Sequence, residues 1–484
     1  MLQSKDINKI SELKNDFTHR WFEPEFIFRS LKCFSFSALC KSLNPVKIKG
    51  YSFESIFSIL ISLPFVGIKT VNAVTSSVMA RHIEARKDVF YRLKNNTAVC
   101  WRMILWLFAL KFIKIVKKQS NTRESNGIKC LIVDDTVLEK TGRYFEKVSR
   151  VWDHVTRRYI LGYKLLLMGY WDGTSFLPVD FSLHREKGRN SAKPYGLKKR
   201  EYKKQYRKQR KKGSHSWERT KESDNTKIES ALKMFWRAIS QGVKVDYLLM
   251  DSWFTCEAFI DAVKKVKKQT VHLIGMYKIP KTKFKFRDQE LTYSQIRNHL
   301  GKVKRCRSLR LYYKQAQVTY KGTQLTMFFS RQGKRGKWKV FLTTDTGLSF
   351  KQMIEIYQIR WTIEVFFKES KQLLGLGKCQ SNDFDAQIAD ATITMIQHML
   401  LTLQYRFEHY ESKGKLFESV QEEIIQARLN ERLWILFIEL LRIIETVFDG
   451  IDEMELLERV IENEKANEIL SKLLHSNTNF ERAA

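Results

Sequence analysis

The chain has 484 residues and carries 86 Lys and Arg against 52 Asp and Glu, a formal charge of +34 and an isoelectric point near 9.8. That length buries more than one core, so two or three domains are expected, and a charge of that size points to a polyanion, most commonly nucleic acid. Seven scattered cysteines without a CxxC pair argue against a disulfide framework or a zinc site and suit a reducing cytosol, while the polar N-terminus shows no secretory signal.

Residues 1 to about 125 read as helical. Candidate helices run over Ile7–Phe17, Phe26–Ser42, Ser52–Leu63, Thr70–Glu84 and Ala98–Lys117. Two apolar runs, near Ile56–Gly67 and Met103–Leu110, are too short for a membrane span and are broken by Pro64 and Lys111. Arg81, Arg86, Arg92 and Lys94 are candidates to meet phosphates, or simply a solvated face.

From Gly127 the pattern changes to strands. Lys129–Val133 is an apolar run ending at Asp134-Asp135-Thr136, followed by Tyr163–Tyr170 and Ser175–Leu183 around an Asp172-Gly173 turn. The two acids are either turn residues or the start of a site. Arg185–Lys212 then holds fourteen Lys or Arg and two acids, a density that resists compact folding and favours a loop or a helix ordering on DNA. A helix from about 225 to 241 leads into the strand Val245–Met250, which delivers Asp251. A further helix and the strand Val271–Met276 follow. Between Ile279 and Thr343 lie several strand candidates separated by Gly322, Gly333 and Gly336.

Ser349–Lys378 reads as one long helix. At 100° per residue, Tyr357, Arg360, Glu364, Lys368 and Lys371 share an arc of about 80°, beside an apolar arc that includes Ile356, Ile363, Phe366 and Phe367. By itself the stripe is also explained as an i,i+4 ion pair on a solvated face. Ala386–Arg406 is strongly apolar. From Glu408 to Glu464 fifteen acids face six Lys or Arg, so this part suggests protein contacts through residues such as Leu433, Leu436 and Phe437 rather than DNA.

The spacing Tyr357, Arg360, Glu364, Lys371, with Trp361-Thr362-Ile363 inside it, resembles the Tyr-Arg-Glu-Lys signature of a large subgroup of DDE transposases from bacterial insertion sequences. The resemblance implies a ribonuclease H-like α/β core with a mixed sheet and a β-rich insertion over 279–343. An all-helical N-terminal domain that reads transposon ends (1–125) and a helical C-terminal region (401–484) would flank the catalytic part (126–400). It implies Asp135, which directly precedes Thr136, Asp251 and Glu364 as metal-binding catalytic acids, with Asp134 as competitor for the first place. Two Mg²⁺ or Mn²⁺ ions are the implied cofactors. Tyr357, Arg360, Trp361, Lys368 and Lys371 would contact DNA, and Trp338 would stack on a displaced base. Transposon ends and target DNA, cut and joined by a homodimer on paired ends, are the implied partners. One departure is that Asp251 is followed by Ser252-Trp253-Phe254, without polar groups that some relatives carry there.

Overall fold

The computed structural model describes residues 25–43, 50–68, 70–75, 85–119, 127–188, 190–407, 410–422, 459 and 462–465. Among the described residues six helices precede the first strand: α1 (Glu25–Cys33), α2 (Phe36–Leu43), α3 (Phe53–Ser62), α4 (Val71–Thr75), α5 (Lys87–Lys94) and α6 (Trp101–Gln119). The helix expected over Phe26–Ser42 is two. Ser35 takes a left-handed φ of 53°, which lets both Phe34 and Phe36 turn inward onto Phe108. Ser52 caps α3 by accepting from the Ser55 amide. The candidate helix Ile7–Phe17, the second half of Thr70–Glu84 including Arg81, and the apolar groups around Leu433–Ile444 lie outside the described residues.

Strands β1 (Cys130–Glu139), β2 (Ser149–Asp153), β3 (Arg158–Trp171) and β4 (Phe176–His184) come next, then helices α7 (Lys199–Lys203), α8 (His215–Glu222) and α9 (Lys227–Ser240). Strand β5 (Tyr247–Met250), helix α10 (Glu257–Lys264) and strand β6 (His272–Tyr277) continue the α/β alternation. The insertion holds β7 (Lys283–Phe286), β8 (Gln289–Thr292), α11 (Tyr293–His299), β9 (Lys304–Cys306), β10 (Leu311–Tyr320), β11 (Thr323–Gln332) and β12 (Lys339–Thr343). Helices α12 (Phe350–Gln358), α13 (Trp361–Gln372) and α14 (Phe384–Phe407) follow.

Among the described residues these twelve strands form one sheet, ordered β2-β3-β1-β5-β6-β12-β11-β10-β7-β8, with β4 on β3 and β9 on β10. Strand β1 lies antiparallel to β3 and parallel to β5, and β5 is parallel to β6. This is a mixed, ribonuclease H-like α/β fold. Cys130–Val133 are fully buried because a central strand with helices on both faces needs apolar side chains in both directions. Strand β12 pairs antiparallel with β6, so the β-rich insertion continues the central sheet instead of forming a detached lobe.

The hydrophobic core is contiguous from Leu31 in α1 to Val420. Helix α14 makes this possible: it is buried on nearly every side and packs against α1, α3, α5, α6, α13 and β4. No helix among the described residues is long and apolar enough to cross a membrane.

In the strongly basic segment, which is largely loop, three cations among the described residues are bound to acids. Lys208 is bound to Asp383 and Asp385 at 2.9 and 3.0 Å. Arg210 is bound to Glu146 at 2.6 Å and to Asp385 at 3.2 Å, and Arg185 to Asp224. Charge density alone does not predict disorder when buried acids from distant parts of the chain supply the counter-charge. Lys94 is likewise turned inward, onto Asp390 at 2.6 Å.

Candidate active site

The first acids come from β1, where the pleat decides their directions. Successive side chains alternate between the faces of a sheet, so Asp134 and Thr136 point one way and Asp135 the other. Asp134 Oδ2 accepts from Arg360 Nη1 at 2.8 Å, and Thr136 Oγ1 from Lys371 Nζ at 2.7 Å; both cations come from the α12–α13 side. Asp135 faces Lys227 at 3.0 Å and Lys164 at 3.5 Å.

Asp135, expected to share a site with Asp251 and Glu364, thus faces Lys227 and Lys164 on the opposite side of β1. Asp134 stands on the face from which Glu364 approaches.

Asp251 follows β5 directly, and Val133 pairs in register with Met250, which sets Asp134 and Asp251 side by side at the ends of two parallel strand segments. Its Oδ1 accepts from the Trp253 and Phe254 amides at 2.9 and 3.3 Å, while Thr255 Oγ1 donates to its carbonyl at 2.7 Å. The turn depends on Gly275 of β6, where a Cβ would stand 2.1 Å from Thr255 Oγ1.

The third acid is carried by a broken helix. Ser349 and Gln352 form a capping box that starts α12, but i,i+3 bonds such as Arg360 N to the Tyr357 carbonyl (3.1 Å) tighten the chain at Ile359–Arg360. The long helix expected over Ser349–Lys378 is thus two helices joined by a tight turn. Arg360 sits in that turn and donates through Nη2 to Glu364 Oε1 at 2.6 Å, so one guanidinium bridges Asp134 and Glu364.

Burial pushes the Asp134 carboxyl up to about 7, with Arg360 opposing the rise and Asp251 adding to it. Against the upward push of burial, Lys227 and Lys164 hold Asp135 below the usual carboxylate range. Burial lowers Lys371. The same cause raises the Tyr357 phenol well above its ordinary value, and its hydroxyl donates to the Met250 carbonyl at 3.3 Å.

Residues 219–400 match the family model described as the Transposase DDE domain, and residues 67–275 match the one described as DDE superfamily endonuclease. Over these residues the chain is similar to DDE transposase and endonuclease domains. The two matches overlap across Asp251; Asp134 and Asp135 fall in the second and Glu364 in the first. No curated protein matches the chain.

Metal fit at this site rests on the donor set. Carboxylate oxygens suit a hard divalent cation, and Asp134 and Asp251 bring two negative charges to adjacent strand ends. Among the described residues no three acidic, His or Cys side chains are grouped to hold a metal, and Arg360 is bound to both Asp134 and Glu364. The donor chemistry of the two strand-end carboxylates fits a hard divalent cation.

The other expected residues of the domain distribute unevenly. Arg360, Lys371 and Glu364 gather at β1, whereas Lys368 turns to solvent and Trp361 is 61% exposed beside the site. Tyr357 is tucked beneath it, edge-on to Phe341 at 5.0 Å. Trp338 is half-buried at the start of β12 with the Arg331 guanidinium 4.5 Å over its ring. Lys227, Lys164 and Gly275 carried no local signal, since each matters only through a partner distant in sequence.

Proposed function

We propose that this protein is a cut-and-paste transposase that binds the terminal inverted repeats of an insertion sequence, cleaves the DNA there and transfers the strand to a target. The observation that carries this reading is the approach of Asp134, Asp251 and Glu364 to one end of the sheet, with Arg360 and Lys371 among them.

In this reading Asp134, Asp251 and Glu364 hold two Mg²⁺ or Mn²⁺ ions. When bound, such ions would supply Lewis-acid chemistry at the scissile phosphate. Arg360 exchanges the carboxylates for a DNA phosphate, a bidentate partner of the same geometry. Lys371 and Lys368 bind further phosphates, and Trp361 and Trp338 contact bases at the opened end. Tyr357, bonded to the Met250 carbonyl, orients the Asp251 turn from below. Two copies act on paired ends.

The insertion supports DNA binding through its charge: residues 279–343 contain seventeen Lys or Arg and two acids. A nuclease that cuts without joining is the second reading, favoured by the endonuclease description of one family match. The test is cleavage and joining of a labelled DNA end taken from the repeats flanking the gene, with Mg²⁺, by wild type and Glu364→Ala. Loss of both steps in the variant with DNA binding retained supports the proposal. Cutting without joining by wild type favours the nuclease, and full activity of Glu364→Ala refutes both.

A further inference from the structure

Asp135 is turned away from the three proposed catalytic acids, yet it meets more positive charge than one carboxylate requires. Lys164 and Lys227 both reach Oδ2, and the three side chains are only 4%, 17% and 13% exposed. One ammonium suffices to neutralise the acid, and burying a second is unfavourable unless it does something else.

The second contact of Lys227 shows what that is. Its ammonium lies 4.7 Å from the centre of the Trp253 ring and 5.9 Å from that of Phe254. These two residues form the turn around Asp251, donating their amides to its Oδ1. Trp253 is 59% exposed, so the core does not fix its ring, and a cation over the face is the available anchor.

Lys227 itself is firmly placed. It opens α9, which begins with a Thr226–Glu229 capping box and seats Ala231, Met234, Phe235 and Ala238 in the core. The Asn225 carbonyl just before it lies 3.2 Å from Nδ1 of buried His184.

We propose that Lys227 is a positioning residue: a single ammonium ties the reverse face of β1 to the Asp251 turn, and so sets the spacing at which Asp134 and Asp251 share a divalent cation. This rests on the carboxylate-site reading given above. Lys227 acts through Asp135 and Trp253.

The test is Mn²⁺ binding to the full chain, followed by electron paramagnetic resonance, for wild type, Lys227→Ala, Lys227→Arg, Trp253→Ala and Asp134→Asn. Lys227→Ala is expected to weaken Mn²⁺ binding about tenfold, as loss of an outer-sphere partner does, with affinity for a random duplex unchanged. Lys227→Arg restores binding, and Trp253→Ala weakens it about threefold, the size of an exposed cation–π contact. Wild-type Mn²⁺ affinity in folded Lys227→Ala, with Asp134→Asn weakened, overturns the positioning role alone. Unchanged affinity in Asp134→Asn removes the carboxylate site and this proposal together. If Lys227→Ala does not fold, Trp253→Ala decides, because its exposed side chain tolerates truncation: unchanged Mn²⁺ affinity there overturns the proposal.

Discussion

Arg360 donates to Asp134 at 2.8 Å and, through its other terminal nitrogen, to Glu364 at 2.6 Å. The guanidinium thereby joins the α12–α13 turn to β1 and neutralises charge where a divalent ion is proposed to act. Replacing it with Gln should raise the affinity of the DNA-free chain for Mn²⁺ by about tenfold, or about 1.4 kcal/mol, while lowering affinity for DNA ends. Calorimetry on the free protein checks this. Equal Mn²⁺ affinity in wild type and Arg360→Gln would show that the arginine does not compete for the site.

Opposite directions of Asp134 and Asp135 on one strand make their substitutions unequal. Asp134→Asn is expected to reduce DNA cleavage by at least about a hundredfold, in the range seen when a group stabilising transition-state charge is lost. Asp135→Asn should act mainly on stability by leaving two buried lysines with too little negative charge. Parallel cleavage and melting measurements on the two variants would reveal a reversed order if the strand's register were misassigned.

Two buried histidines make folding sensitive to mild acid. Burial lowers both His184 and His398 to about 4; Glu222 and Lys227 face the first, Lys413 and Glu369 the second. Because the unfolded chain takes up these protons near pH 6.5 and the folded chain only near 4, stability is intact above 6.5 and falls as pH drops through that window. The loss is about 2 kcal/mol per histidine at pH 5. Denaturant titrations at pH 7 and 5 should show it, and His398→Gln should flatten the slope.

Arg210 is only 3% exposed, with Glu146 and Asp385 around it. Arg210→Ala leaves Glu146 buried without its cation, while Asp385 keeps Lys208, and a loss of about 3 kcal/mol is expected from urea unfolding. A change below 1 kcal/mol, within the range of a surface pair, would mean that water reaches the cluster.

DNA affinity should follow the insertion rather than the basic segment. Lys334, Arg335 and Lys337 are exposed on the β11–β12 connection. Changing all three to Gln should reduce the slope of log affinity against log salt by about 2–3 if each neutralises a phosphate, whereas Lys208→Gln should leave it unchanged. The opposite ranking would return the DNA contact to the 185–212 segment.

The sequence announces β5 and β6 well because they are apolar runs of about the observed length, whereas β1 starts with its apolar run but continues through Asp134 and Asp135 to Glu139. Asp251 and Glu364 are legible through the element that carries each. The choice between Asp134 and Asp135 is not, because it depends on which face of β1 receives α13, and a run buried on both faces leaves no alternation to read. The same limit hid the break at Arg360: the apolar pattern passes through Ile359 uninterrupted, and only the i,i+3 bonds show the turn. Within Arg185–Lys212 the pairing of Lys208 and Arg210 carried no local signal, since the acids that bind them, Glu146, Asp383 and Asp385, are far away in sequence.

The hydrogen bonds between β12 and β6 have a mechanical meaning. In the proposed function, the cationic surface of the insertion is tied to the strands bearing Asp134 and Asp251 by the pairing of β12 with β6. Its separation from the scissile position is set by strand spacing, at about 4.8 Å per strand, and acts as a fixed ruler. Duplex that engages both places must bend, or lose stacking, to suit that distance. Ends whose terminal base steps unstack most readily should be processed fastest, even where no side chain reads them.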